Sequence, residues 1–263
     1  MKKHLLCIAA LLLLSMATHA VDIKLGHVGA PVSPQQSIAN LFKQKVEAKT
    51  NGAVTISIFD SGTLGNEKNL QEGVRSGTVD MTVGGTFSHV LPWAGILETP
   101  MLFRNLDHFI SVFAGKVGDD IAAAFEKSIN VHPLFIVPHG GFRYVTTKGA
   151  AIRKPDDLKG IKIRNPNVPA FNIMANAVGA VPVPMDFSEL YLALDRGVVQ
   201  GQHNPTGNIV GAKLYEVQDH LSMIPWGISG SAPQSWWTPA RKCCRAVRGA
   251  GFISANIGKT TSV

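Results

Sequence analysis

Three polar side chains stand where they could do chemistry. Arg143 lies in GGFRYVTTKG, Arg164 ends the apolar, β-branched run GIKIRN, and Asn204 lies in GQHNP, which reads as a turn. A guanidinium is a planar fork that meets a carboxylate with two parallel hydrogen bonds, and the pair strengthens when partly desolvated. Two arginines and an amide converging on one point would make a receptor for an organic acid. Spacing alone leaves this open against the plainer alternative, since single arginines mostly decorate surfaces.

The other reactive residues form no catalytic set. The nine histidines include no HExxH and the cysteines no CxxC. His132 and His139 flank an apolar strand, so no metal site is expected. GISGS (227–231) lacks the last glycine of a serine-nucleophile elbow, and IGKTT (257–261) has Ile253 where a phosphate loop needs glycine. Asp156 and Asp157 sit on a turn before a strand, a place for solvated carboxylates rather than an acid–base pair. The expectation is a binder without cofactor or metal, not an enzyme.

The chain opens MKKHLLCIAALLLLSMATHA, with a basic start, about a dozen apolar residues and small residues up to Ala20. That is the pattern of a secretory signal peptide, so residues 1–20 are set apart and an exported protein is expected. Cys7 lies too early in the apolar run to be a lipid-attachment site. The formal charge of +7 lies at the two ends: Lys2 and Lys3 in the leader, and Arg241, Lys242, Arg245, Arg248 and Lys259 beyond Asp219, the last acid. Residues 21–240 balance, so no basic stripe for nucleic acid exists. Cys243 and Cys244 are adjacent and imply no disulfide framework. No later apolar run is long enough to span a bilayer.

The elements that must position the arginines follow from periodicity. VDIKLGHV (21–28), AVTISIFD (53–60), TVDMTVGG (78–85) and VHPLFIVP (131–138) read as strands. Helices run from Pro34 to the Asn51-Gly52 stop, over 66–76 up to Gly77, and in two stretches within 105–128. The pattern restarts with strands FRYVTT (142–147), GIKIRN (160–165), AVPVPM (180–185) and LSMIPWGIS (221–229). Helices cover 167–177 and 188–195, the second capped by Asp186 or Ser188. Two βα series with a crossover near 139–141 give an α/β protein of two lobes. Lobe I spans 21–140, lobe II 141–225, and 226–263 supply a hinge strand and an atypical tail. Small ligands bind in the cleft between such lobes, at the carboxyl ends of strands.

At these residues the chain resembles the solute-binding proteins of TRAP (tripartite ATP-independent periplasmic) transporters, DctP type. The matching stretches are SGTLGNEK, VRSGTVDMTVGG, GFRYVTTKGAAIRKPDDLKGIKIRNP, VGAVPVPMDFSELYLALDRGVVQGQHNP and KLYEVQDHLSMIPWGIS, in order. The resemblance implies a two-lobed periplasmic binding protein that closes about a hinge on a C4-dicarboxylate, sialic acid or other organic acid. It implies a monomeric receptor that hands the solute to a membrane permease and hydrolyses nothing. Arg164 looks like the family's carboxylate-pairing arginine, Arg143 like a second ligand-contacting arginine, and Asn204 like the asparagine that shares the carboxylate. Phe187 resembles the aromatic packed on the ligand. Trp226 is similar to a hinge-region residue facing the cleft, and Glu67 and Thr86 lie on first-lobe loops that could add distal contacts. Lobe I offers no further cationic clamp, which favours a mono- or small dicarboxylate.

After about Ser231 the resemblance stops. APQSWWTPARKCCRAVRGAGFISANIGKTTSV holds two tryptophans, two cysteines, five basic residues and no acid, with no clear period. It reads as a truncated or frameshifted end, with the return strand and the bracing helix missing and apolar faces left uncovered. Two alternatives to a transport receptor stay open at this stage: a ligand-sensing partner of a membrane signalling protein, and a non-functional truncated receptor.

Overall fold

Four short strands of lobe I surround a helix-covered core. In the computed structural model β1 (Val21–Gly26) pairs in parallel with β2 (Val54–Phe59) and with β3 (Met81–Gly84). The structure describes residues 21–85, 88–138, 140–228 and 234–239; for Phe135, 224–228 and 234–239 it describes the backbone alone. The leader, Thr86, His139 and the three cysteines lie outside the described residues.

Helix α1 (Pro34–Lys49) starts where Ser33 accepts a hydrogen bond from the Gln36 N–H at 3.3 Å, with Pro34 in the first turn, where its missing N–H costs nothing. It buries Ala39, Phe42 and Val46 against Ile23, Leu25, Val54, Ile56 and Met81. Each large aliphatic side chain fully buried there contributes about 1.5–3 kcal/mol. Helix α2 (Glu67–Ser76) is capped by Asn66, whose side chain accepts from the Asn69 N–H at 2.9 Å, and ends at Gly77 with φ 82°. Helices α3 (Leu106–Phe113) and α4 (Lys116–Ile129) lead to β4 (Val131–Val137).

The second sheet contains β5 (Phe142–Thr147), β6 (Lys162–Asn165), β7 (Val181–Pro184), β8 (Gly201–Pro205) and β9 (His220–Ile228), in the order β7-β6-β8-β5-β9. Helix α5 (Pro169–Ala177) packs Phe171 and Ala175 on Val145 and Ile163. Leu190 and Leu194 of α6 (Leu190–Asp195) share a second cluster with Ile209 of α7 (Thr206–Gly211). Asp186 caps neither α6 nor the 3-10 turn Phe187–Glu189 before it; its carboxylate is engaged elsewhere.

Two expectations are corrected. GQHNP is not a turn but the central strand β8, with Gln202 and His203 fully buried. It shows no apolar alternation because its buried faces are held by hydrogen bonds rather than by hydrophobic contact. The return strand is also present: β10 (Gln234–Pro239) lies antiparallel between β3 and β4, pairing Ser235 with Gly84 and Thr238 with His132. Its Trp-Trp-Thr centre suits a strand, but polar and basic neighbours hide any period. The chain therefore passes between the sheets twice, from β4 to β5 and from β9 to β10.

The result is two α/β lobes in close contact. Gly207 of α7 faces Pro34 of α1 so tightly that a Cβ there would lie 2.7 Å from Pro34 Cγ. Among the described residues no helix is long and apolar enough to cross a membrane.

Candidate ligand-binding site

Strand β6 delivers Arg164 to its carboxyl end, where Asn165 and Pro166 turn the chain. The Arg164 Nε and Nη2 both donate to the Met185 carbonyl oxygen, at 3.0 and 2.8 Å. That carbonyl is itself fixed, because the Met185 N–H donates to the Asn165 carbonyl at 3.0 Å. The guanidinium carbon stands 5.8 Å from the centre of the Phe187 ring, within cation–π range.

Arg143, on β5, is held from below. Its Nε donates to His203 Nδ1 at 2.7 Å, and its Nη2 donates to the His203 carbonyl at 2.6 Å and to Asn204 Oδ1 at 3.1 Å. An arginine can only donate, so His203 Nδ1 accepts and the ring proton sits on Nε2, 2.9 Å from Asn165 Oδ1. Asn165 passes the chain on to Asn172, and Asn204 donates to Gln202. The polar groups of β8 are thereby satisfied inside the lobe.

Both arginines are buried, Arg143 4% and Arg164 3% exposed. Burial pushes the Arg143 guanidinium down to about 9, with the Arg164 charge as a second cause. Burial likewise brings Arg164 down to about 10, against the opposing pull of Glu67, Asp186 and Glu189. Both stay protonated at neutral pH. Burial and the two neighbouring cations hold His203 well below the usual histidine range. Among the described residues no carboxylate lies within 4.0 Å of either guanidinium; the ion pairs formed are surface ones such as Lys116–Asp120. Two like charges in a desolvated site, offset only from beyond ion-pair distance by Glu67, Asp186 and Glu189, are costly, and a bound anion relieves them.

The space beside Arg164 is a cavity of about 320 Å³ between the lobes. Lobe II contributes Arg164, Asn167, Met185, Asp186 and Phe187, and lobe I contributes Asn66, Glu67, Lys68 and His89. Asn66 reaches across the cavity and donates its amide to Asp186 Oδ2 at 2.7 Å, while Asn167 donates to Asp186 Oδ1 at 3.2 Å. Glu67 Oε1 accepts from the Gly85 N–H, and Gly84 makes room for it, since a Cβ there would lie 2.9 Å from that oxygen.

Of the residues expected from sequence, Arg164, Phe187 and Glu67 line the cavity. Arg143 and Asn204 are bonded to each other and lie behind that wall rather than on it. Trp226 lies in an irregular part of β9, between the pairs Arg143–Gly227 and Tyr144–Pro225; its side chain and Thr86 lie outside the described residues. Asn66, Lys68, His89, Asn167 and Asp186 were not expected. Asn66 and Asp186 carry a local signal, as cap-type residues before a helix, but nothing local shows that they meet. Among the described residues no three His, Cys, Asp or Glu side chains are grouped to hold a metal ion. The arrangement can hold a carboxylate at one end and hydroxyl or amide groups at the other.

Known proteins carry a similar fold and a related sequence. The family model described as "Bacterial extracellular solute-binding protein, family 7" (DctP) matches residues 25–231. The chain is 34% identical over 217 residues to a solute-binding protein of Roseobacter denitrificans, covering 82% of this chain and 66% of that one. It is 36% identical over 208 residues to the 2,3-diketo-L-gulonate-binding periplasmic protein YiaO of Escherichia coli, covering 78% and 62%. It thus spans somewhat less than two thirds of the length of these curated relatives. Among solved structures, a TRAP periplasmic solute-binding protein from Polaromonas sp. JS666 bound to D-erythronate superposes with a TM-score of 0.81 at 28% identity, covering 89% of this chain and 77% of that one. One from Roseobacter denitrificans with bound L-galactonate gives 0.78 at 30% identity, covering 88% and 78%.

Proposed function

We propose that this chain, which belongs to the family 7 bacterial extracellular solute-binding proteins, is a periplasmic receptor for a small organic acid that it passes to a TRAP permease. The observation that carries the reading is the pair of buried guanidiniums, Arg164 and Arg143, with no carboxylate among the described residues within 4.0 Å of either. Arg164 on the wall takes the ligand carboxylate; Arg143, held by His203 and Asn204, adds positive potential from behind. Phe187 packs the ligand body. The cavity also carries Glu67 from lobe I and Asp186 from lobe II, which favour one carboxylate over two. Relatives whose structures hold D-erythronate and L-galactonate make sugar acids the first compounds to try.

In this reading lobe I (21–140) and lobe II (141–225) close on the solute about the two chain crossings, the second leaving β9 past Trp226. The receptor works as a monomer, catalyses no turnover and binds no nucleic acid. The test is a thermal melt and titration calorimetry of the purified protein with a panel of aldonates, uronates and C4-dicarboxylates. One acid that raises the melting temperature of the wild type and not of Arg164→Ala supports the reading. A cooperative melt that no acid shifts overturns it.

A further inference from the structure

We infer that His89 is the residue by which this cleft tells a hydroxylated acid from its deoxygenated counterpart, its imidazole Nε2 bonding a ligand hydroxyl. The inference rests on the receptor reading above and adds a specificity residue to it. His89 sits in the turn that follows β3 in lobe I and lines the cavity that Arg164 lines from lobe II. Its Nε2 is buried and makes no hydrogen bond among the described residues. A buried polar nitrogen left unpaired is costly, and the residue that carries it lines the ligand cavity, so a turn of the ring toward the cleft would let a bound molecule satisfy it.

The neighbours decide which ligand group that is. Glu67 and Asp186 line the same region, so a second ligand carboxylate would meet two like charges there. Lys68 also lines the cavity, but its side chain is 60% exposed and its ammonium lies 3.9 Å from Glu72 on the helix surface, so it offsets them only in part. Burial lowers the His89 pKa below 6.5, against the opposing pull of Glu67, so the ring is neutral at neutral pH. A neutral imidazole offers one donor and one acceptor, and a hydroxyl can answer either. A methylene can answer neither and leaves Nε2 unpaired, which is the basis of strong rejection of analogues lacking a hydroxyl.

The experiment is calorimetry of the full chain with D-erythronate and its 2-, 3- and 4-deoxy analogues, on wild type, His89→Phe and His89→Gln. We expect one deoxy analogue to bind wild type about 10–100-fold more weakly than D-erythronate, and His89→Phe to remove that preference. His89→Gln, which keeps a donor and an acceptor, should restore much of it. Equal weakening of all four acids by His89→Phe would mean a packing role only and overturn the inference, as would an unchanged preference. Absence of binding of these acids and of every acid of the panel above to the wild type would instead bring down the receptor reading, and this inference with it.

Discussion

Arg143 Nε donates to His203 Nδ1 at 2.7 Å, so a permanent cation keeps a buried histidine neutral while the histidine fixes the cation's direction. The pair couples the site to acidity. Protonation of His203 at Nδ1 would replace an acceptor with a donor facing a guanidinium.

The sign of the acid response follows from that contact. The folded-state pKa of His203 lies well below the ordinary 6.5, through burial and then the charges of Arg143 and Arg164. The unfolded chain therefore takes up the proton first as pH falls, and stability present above 6.5 is lost below it. The slope approaches about 1.4 kcal/mol per pH unit for each such proton. His27 and His89, both lowered by burial, act in the same direction. Melting temperature should hold above about pH 7 and drop between about 6.5 and 5, with a shallower drop in His203→Gln. A flat profile in the wild type would refute the coupling.

Arg164 acts as a fork and not merely as a charge. Arg164→Ala should weaken binding of the cognate acid by about 100-fold or more, and Arg164→Lys should recover little of it. Both variants should keep a cooperative unfolding transition, because among the described residues the Arg164 side chain donates only to the Met185 carbonyl. Calorimetry beside a thermal melt checks both halves. A lysine variant of near wild-type affinity would show that charge alone suffices.

Asp186 adds negative charge to the lobe II wall while its oxygens hold Asn66 and Asn167. In Asp186→Asn an amide oxygen can still accept from Asn66, but the negative charge is gone. Affinity for succinate or malate should rise about tenfold and that for an aldonate should change less. If neither dicarboxylate gains, charge on this wall does not select the ligand.

The contact of Pro34 with Gly207 joins the lobes, and a Cβ at 207 would sit 2.7 Å from Pro34 Cγ. Gly207→Ala should wedge them apart at a cost of about 1–3 kcal/mol, read as weaker ligand binding. Pro34→Ala removes the opposing Cγ and should rescue the double variant. Failure of that rescue would place the defect inside α7 instead.

The legible parts of this molecule are the local ones. Arg164 stands out in the sequence because a β-branched strand ends on a charged residue just before Asn-Pro, a placement that fits surface decoration as well as a ligand until the family resemblance is added. Phe187 is reached through the family resemblance rather than through any pattern of its own. Strand β8 is illegible because Gln202, His203 and Asn204 are polar residues made tolerable indoors by partners up to 61 positions away. Asp186 looks like a helix cap until Asn66, 120 residues earlier, is found beside it. His89 is an ordinary turn histidine in the sequence, and only the cavity gives it meaning.

Strand β10 has a further consequence, for the order in which the molecule is made. In the first sheet β4 is joined to β1, β2 and β3 only through β10, which arrives after all of the second sheet. Residues 142–228 form an unbroken sheet of their own and can assemble while the first sheet still lacks its keystone. Until β10 is inserted, β3 and β4 present open edges of the kind that recruit foreign strands. Pairing Gly84 with Ser235 closes a loop across most of the chain, a slow kind of step. The lobe that begins first in the sequence is therefore the one that finishes last.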